Sequence, residues 1–131
     1  MGIKVPPMAR AQISLTNNTS KDLTLAGDRT GGINQNWVDV PDSIQPGPDN
    51  FKDFHVSDGI DFVHGVVKFN VLENGATLKM DISQRASNAF SFDVNGENFK
   101  FRSKIGVDGS WSDWGTVVQG KGDLYVDAYL G

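Results

Sequence analysis

Hydrophobic and polar positions alternate in short runs along most of this chain. That period of two puts one face of a β-strand in a core and the other in water. The longest such stretch is residues 62–94, which divides into three strands in series. Val63, Gly65, Val67, Phe69 and Val71 alternate with His64, Val66, Lys68, Asn70 and Leu72. Glu73-Asn74-Gly75 follows, and Asn-Gly supplies the positive φ angles of a tight hairpin turn. Residues 77–82 and 90–94 alternate again, and Asn95-Gly96 is a second hairpin signal leading into Phe99-Lys100-Phe101. Across that turn, Phe90 and Phe92 are predicted to face Phe99 and Phe101.

The rest of the chain follows the same grammar. Residues 11–16 and 22–26 are predicted strands around a polar turn at 17–21, residues 27–36 a long polar loop, and residues 37–40 a short strand stopped by Pro41. Prolines 41, 46 and 48 bar residues 43–49 from a central strand or a helix, because proline fixes φ and has no amide donor. Residues 51–56, Phe99–Ile105, 111–119 and Leu124–Leu130 complete a set of about nine or ten strands, with no helix and no fixed repeat. The expected fold is all-β, a single-domain antiparallel β-sandwich over residues 9–131 behind a short tail at residues 1–8.

Composition supports this and narrows the chemistry. A chain of 131 residues with 38% hydrophobic content can bury one core, and 15 glycines with 5 prolines suit a turn-rich fold. There are no cysteines, so disulfides and thiolate metal sites are excluded and folding in a reducing cytoplasm is favoured. The first residues lack an apolar segment of signal-peptide length, and Met8 is an alternative start. The expectation is a protein made in the cytoplasm without a signal peptide, released afterwards, and acting at a target cell membrane. No run approaches the roughly 20 apolar residues of a membrane-spanning helix. The formal charge of −4 argues against nucleic acid and against simple electrostatic docking on anionic lipid. Overlapping glycosylation sequons at Asn17 and Asn18 are read as turn residues.

Catalytic patterns are not found. His55 and His64 are the only histidines, both in predicted strands, and are read as structural rather than as zinc ligands. Gly27-Asp28-Arg29-Thr30-Gly31-Gly32 lacks the Lys-Ser/Thr ending of a phosphate-binding loop. Asp58 and Asp61, and Asp108 and Asp113, sit beside glycines as turn residues do, without the dense oxygen spacing of a calcium loop. The chain is expected not to be an enzyme and to need no cofactor or metal.

Tryptophan is the better lead. Trp37 adjoins the polar loop, and Trp111 and Trp114 lie three apart in GSWSDWG. In an extended strand that spacing puts the two rings on opposite faces unless a turn intervenes. An exposed tryptophan at a loop edge suits a membrane interface or a sugar, since its ring is apolar with one polar handle.

The order of several segments resembles the aegerolysin family of small acidic β-sandwich proteins. Ala9-Arg10-Ala11-Gln12-Ile13-Ser14-Leu15-Thr16-Asn17-Asn18 followed by Leu23-Thr24-Leu25 is similar to the family's first hairpin. Ile44-Gln45-Pro46, Phe54-His55-Val56-Ser57 and Gly65-Val66-Val67-Lys68-Phe69 resemble its next stretch in order and spacing. Met80-Asp81-Ile82 and Ser87-Asn88-Ala89-Phe90-Ser91-Phe92 resemble the segment where the family carries an aspartate before an aromatic strand. Bacterial insecticidal members look closer than mushroom members, which often carry Cys-Pro-Trp where Ile82-Ser83-Gln84 stands here. The resemblance implies a membrane-lipid-binding protein, the small target-recognising half of a two-component pore-forming cytolysin with a larger partner. The loops bearing Trp37, Trp111 and Trp114 are then the expected contacts to lipid or partner, and a homo-oligomer through an exposed strand edge is a further option. The alternative is a carbohydrate-binding module with Trp111 and Trp114 as a stacking platform.

Overall fold

The computed structural model describes residues 10–31, 36–57, 63–72, 75–84 and 87–131. The tail at residues 1–8, Asp58, Asp61, Glu73 and Asn74 lie outside them. The strands are β1 (Arg10–Asn17), β2 (Leu23–Gly31), β3 (Asn36–Val38), β4 (Ser43–Ile44), β5 (Lys52–Ser57), β6 (Val63–Val71), β7 (Ala76–Gln84), β8 (Asn88–Val94), β9 (Phe99–Ile105) and β10 (Leu124–Leu130). A single 3-10 turn, Pro48–Asn50, is the only helical element among the described residues. The first sheet has the order β3-β5-β1-β10-β9 and the second β4-β2-β6-β7-β8. All pairings are antiparallel except β1 with β10, which run parallel. This is the expected antiparallel-dominated sandwich.

Its core is the product of the alternation. Ile13, Leu15, Phe54, Val126 and Leu130 of the first sheet meet Leu23, Val67, Phe69, Leu78, Met80 and Ile82 of the second, all buried. The β6–β7 hairpin forms where the Asn-Gly signal places it: Val71 faces Ala76, and Gly75 turns the chain at φ +71°. Proline acts as expected at residues 43–49, which hold only the two-residue edge strand β4 and the 3-10 turn.

Three expectations are corrected. The Asn95-Gly96 turn does not join a hairpin: β8 pairs with β7 and β9 with β10, so the chain there crosses from one sheet to the other. Phe90 and Phe92 still meet Phe99 and Phe101, but across the sandwich, with Phe90–Phe101 ring centroids 4.7 Å apart and Phe92–Phe99 4.3 Å apart. Second, β2 continues to Gly31 into the predicted loop, by way of a register shift between Leu25 and Arg29. A bulge of this kind breaks the alternation that sequence reading depends on.

Third, residues 111–119 are not a strand. They belong to a long irregular loop over 106–123 that is fastened to the edge of β9. Ser112 N donates to Ser103 O (2.8 Å), Ser103 N to Ser112 Oγ (3.0 Å) and Gly115 N to Phe101 O (2.6 Å). The buried Ser103 hydroxyl donates to Thr116 O and accepts from Val118 N. Serine side chains thus substitute for ladder bonds, and the edge is covered without adding a strand. Further on, the Gln119 amide accepts from Asn88 N (2.8 Å) and donates to Asn88 O (2.7 Å), closing the start of β8 as well.

Candidate functional site

The outer face of the first sheet brings two of the three predicted site residues together. On β9 the outward positions are Lys100, Arg102 and Lys104, and on β10 they are Tyr125, Asp127 and Tyr129. Register sets them in rows: Lys104 beside Tyr125, Arg102 beside Asp127, and Lys100 beside Tyr129. The loop lays Trp111 and Trp114 onto this grid. Trp111 touches Lys104 (Nζ to ring centroid 4.5 Å) and Arg102 (4.9 Å), while Trp114 touches Arg102 (4.9 Å) and Lys100 (4.5 Å). Trp114 also meets Tyr129 edge-on at 5.6 Å. Each cation therefore bridges aromatic rings, contacts worth about 0.5–1 kcal/mol apiece at exposed sites.

The turn at Asp113-Trp114-Gly115 explains why both rings share a face. Gly115 sits at φ +84°, and Thr116 N donates to Asp113 O at 3.2 Å. That turn cancels the opposite-face rule for a spacing of three, so neither ring is in the core: Trp111 is 39% and Trp114 46% exposed. At the root of the loop, a Cβ on Gly109 would strike the carbonyl of Ile105, so glycine is needed there.

Asp127 ties the grid down. Only 8% exposed, its carboxylate accepts from Arg102 Nε (3.0 Å) and from the Tyr129 hydroxyl (3.1 Å). Burial, and then the neighbouring Asp127 charge, push the Tyr129 phenol above its usual value. Beside this grid runs a groove of about 290 Å³. Gln12 and Ser14 of β1 with Tyr125 and Asp127 of β10 form its floor; Phe51 and Asp53 stand on one side, and Lys104, Val107 and Trp111 on the other. Phe51 and Val107 are themselves solvent-exposed.

Trp37 stands elsewhere. It lies on β3 opposite Val56 and points between the sheets, its ring 5.5 Å from Phe54 and its Nε1–H donated to Val66 O at 3.1 Å. A Cβ on Gly65 would come within 2.6 Å of the same ring. The residue joins the two sheets and is engaged in packing, so the candidate site is drawn without it.

The remaining sequence candidates disperse. His55 faces outward on β5 opposite Gln12, and His64 on β6 of the other sheet bonds Asp81 at 2.8 Å. Burial, then the Arg10 charge, lower the pKa of His55, against weaker raising effects of Asp39 and Asp123. Asp108 and Asp113 are exposed loop residues, and no group of three or more metal-ligating side chains assembles among the described residues. Asn17 is fully buried, its amide donating to Lys21 O and Ile44 O and accepting from Thr19, so that sequon is closed to modification in the folded chain.

Sequence reading missed the three cations, Phe51 and the groove. One signal was present: Lys100, Arg102 and Lys104 alternate with Phe99, Phe101, Ser103 and Ile105, which places three positive charges on one face just before the tryptophan pair. Among the described residues no helix is long and apolar enough to cross a membrane. Comparison of the chain with protein-family models and with curated proteins finds no match, and the candidate site stands on its own geometry.

Proposed function

We propose that the chain recognises a target membrane through the outer face of its first sheet, as the small component of a two-component pore-forming system. The observation that carries this reading is the exposure of Trp111 and Trp114 on one face, beside Lys100, Arg102 and Lys104, in a protein whose net charge is negative. Tryptophan settles at the boundary between head groups and acyl chains, and flanking cations engage the phosphates there. Exposed Phe51 and Val107 widen the apolar edge of the same face. The resemblance to aegerolysins supports the same reading and adds the larger partner that would perforate the bilayer.

Co-sedimentation with liposomes of varied lipid composition tests it. Trp111→Ala and Trp114→Ala are each expected to weaken partitioning into susceptible vesicles by about tenfold. Trp37, packed between the sheets, reports by its fluorescence that both variants remain folded. The pure chain is expected to bind without releasing vesicle contents, release requiring a second, larger protein. Undiminished binding by both variants would refute the assignment of this face.

A further inference from the structure

We propose that the groove beside Trp111 takes a neutral pyranose, the sugar head group of a glycolipid. The membrane reading above determines only where the sugar is carried; the groove chemistry stands separately.

Three observations select a neutral polyol. The first is the division of polar and apolar surface: the floor offers the Gln12 amide, the Ser14 hydroxyl and the Tyr125 and Asp127 side chains, while Trp111, Phe51 and Val107 form the walls. A ring with hydroxyls at its rim and C–H bonds on its faces matches such a trough, as a wholly apolar or wholly ionic ligand does not. The second is charge. Asp53 and Lys104 face each other across the groove, and Asp127 is neutralised by Arg102, so the formal charges cancel. For an anionic ligand, the attraction of Lys104 is offset by the Asp53 carboxylate. An organic cation would need an aromatic face, but Lys104 and Arg102 already lie on the Trp111 ring. A neutral ligand escapes both penalties.

The third observation is spacing. Ser14 stands directly opposite Asp53 in the β1–β5 register, and Gln12 follows on the same face of β1, one pleat repeat or about 6.8 Å away. Hydrogen-bonding groups at that separation reach opposite edges of one six-membered polyol ring. The groove volume of about 290 Å³ fits a ligand of one or two such rings, at the small end of ligand-pocket sizes.

The test uses the whole chain with phosphatidylcholine vesicles, plain or carrying glucosylceramide or galactosylceramide, in the presence and absence of the soluble methyl glycosides. Binding that depends on the glycosylceramide and is displaced by the matching glycoside is the expected result. Gln12→Ala and Asp53→Ala are expected to reduce it about tenfold each, while Lys79→Ala, on the outer face of the other sheet, leaves it unchanged. Thermal midpoints establish that the variants are folded. Equal binding to plain vesicles, with Gln12→Ala and Asp53→Ala unaffected, would overturn the sugar while leaving the membrane reading in place. Glycoside binding seen by NMR at Gln12 and Asp53, without vesicle binding, would uphold the sugar and overturn the membrane. Binding to neither overturns both, and preference for an acidic sugar overturns neutrality.

Discussion

Gly65 and Trp37 show how one pair of residues ties the two sheets together. Gly65 was legible from sequence only as a member of an alternating strand; that its missing side chain makes room for a ring from the opposite sheet was not, because no local pattern encodes a contact between distant strands. Gly65→Ala is expected to cost about 1–3 kcal/mol, since the new methyl and the ring cannot both fit. Combining it with Trp37→Phe should recover part of that loss in a double-mutant cycle by urea denaturation; strict additivity would disprove the contact. His55 carries a pH dependence. Its pKa is lowered in the folded state, by burial first and then by Arg10, so the unfolded chain binds the proton more readily. The associated stability is complete above the unfolded pKa of about 6.5 and is lost as pH falls through that value and on through the lower folded pKa. His55→Gln should therefore flatten the fall in thermal midpoint below about pH 6.5, and an unchanged profile would count against this origin.

At the level of elements, the loop over 106–123 does two tasks with one piece of chain. It covers the edge of β9 and lays the tryptophans over the cations of that strand. Arg102 is where the tasks meet, touching both rings and neutralising Asp127. Arg102→Ala is expected to destabilise the protein by about 2 kcal/mol, mostly through the buried Asp127 carboxylate left without its cation and with only the Tyr129 hydroxyl to bond it. It should also shift the fluorescence of Trp111 and Trp114 toward that of fully solvated indole. A stability loss without a spectral shift would mean that the rings are held by the loop alone. The strands β1 and β5–β10 were readable because each alternates over five or more positions, whereas β3 and β4 are too short to show a period and β2 is broken by its bulge. The loop was misread because Trp111, Trp114, Thr116, Val117 and Val118 are residue types common in strands, while its real partners, Ser103 and Asn88, lie in separate elements.

On the scale of the molecule, alternation determined the class of fold but not the sheet to which each strand belongs. Both the turn at 17–21 and the Asn95-Gly96 turn carry the chain across the sandwich instead of folding a strand back on its neighbour. The groove depends on that assignment, because its floor is made by β1 and β10, the most distant strands in sequence. Their amides sit in the middle of the first sheet and are expected to exchange hydrogen only through global unfolding, with protection equal to the full stability. Early exchange of β10 alone would show that it detaches as a separate unit. The parallel seam between these two strands also constrains synthesis. While β1 emerges from the ribosome its central neighbour has not been made, so the first sheet is incomplete until β10 is released. The nascent chain must keep the apolar face of β1 from aggregating throughout that interval, and the face built on β10 comes into being only once that strand has emerged.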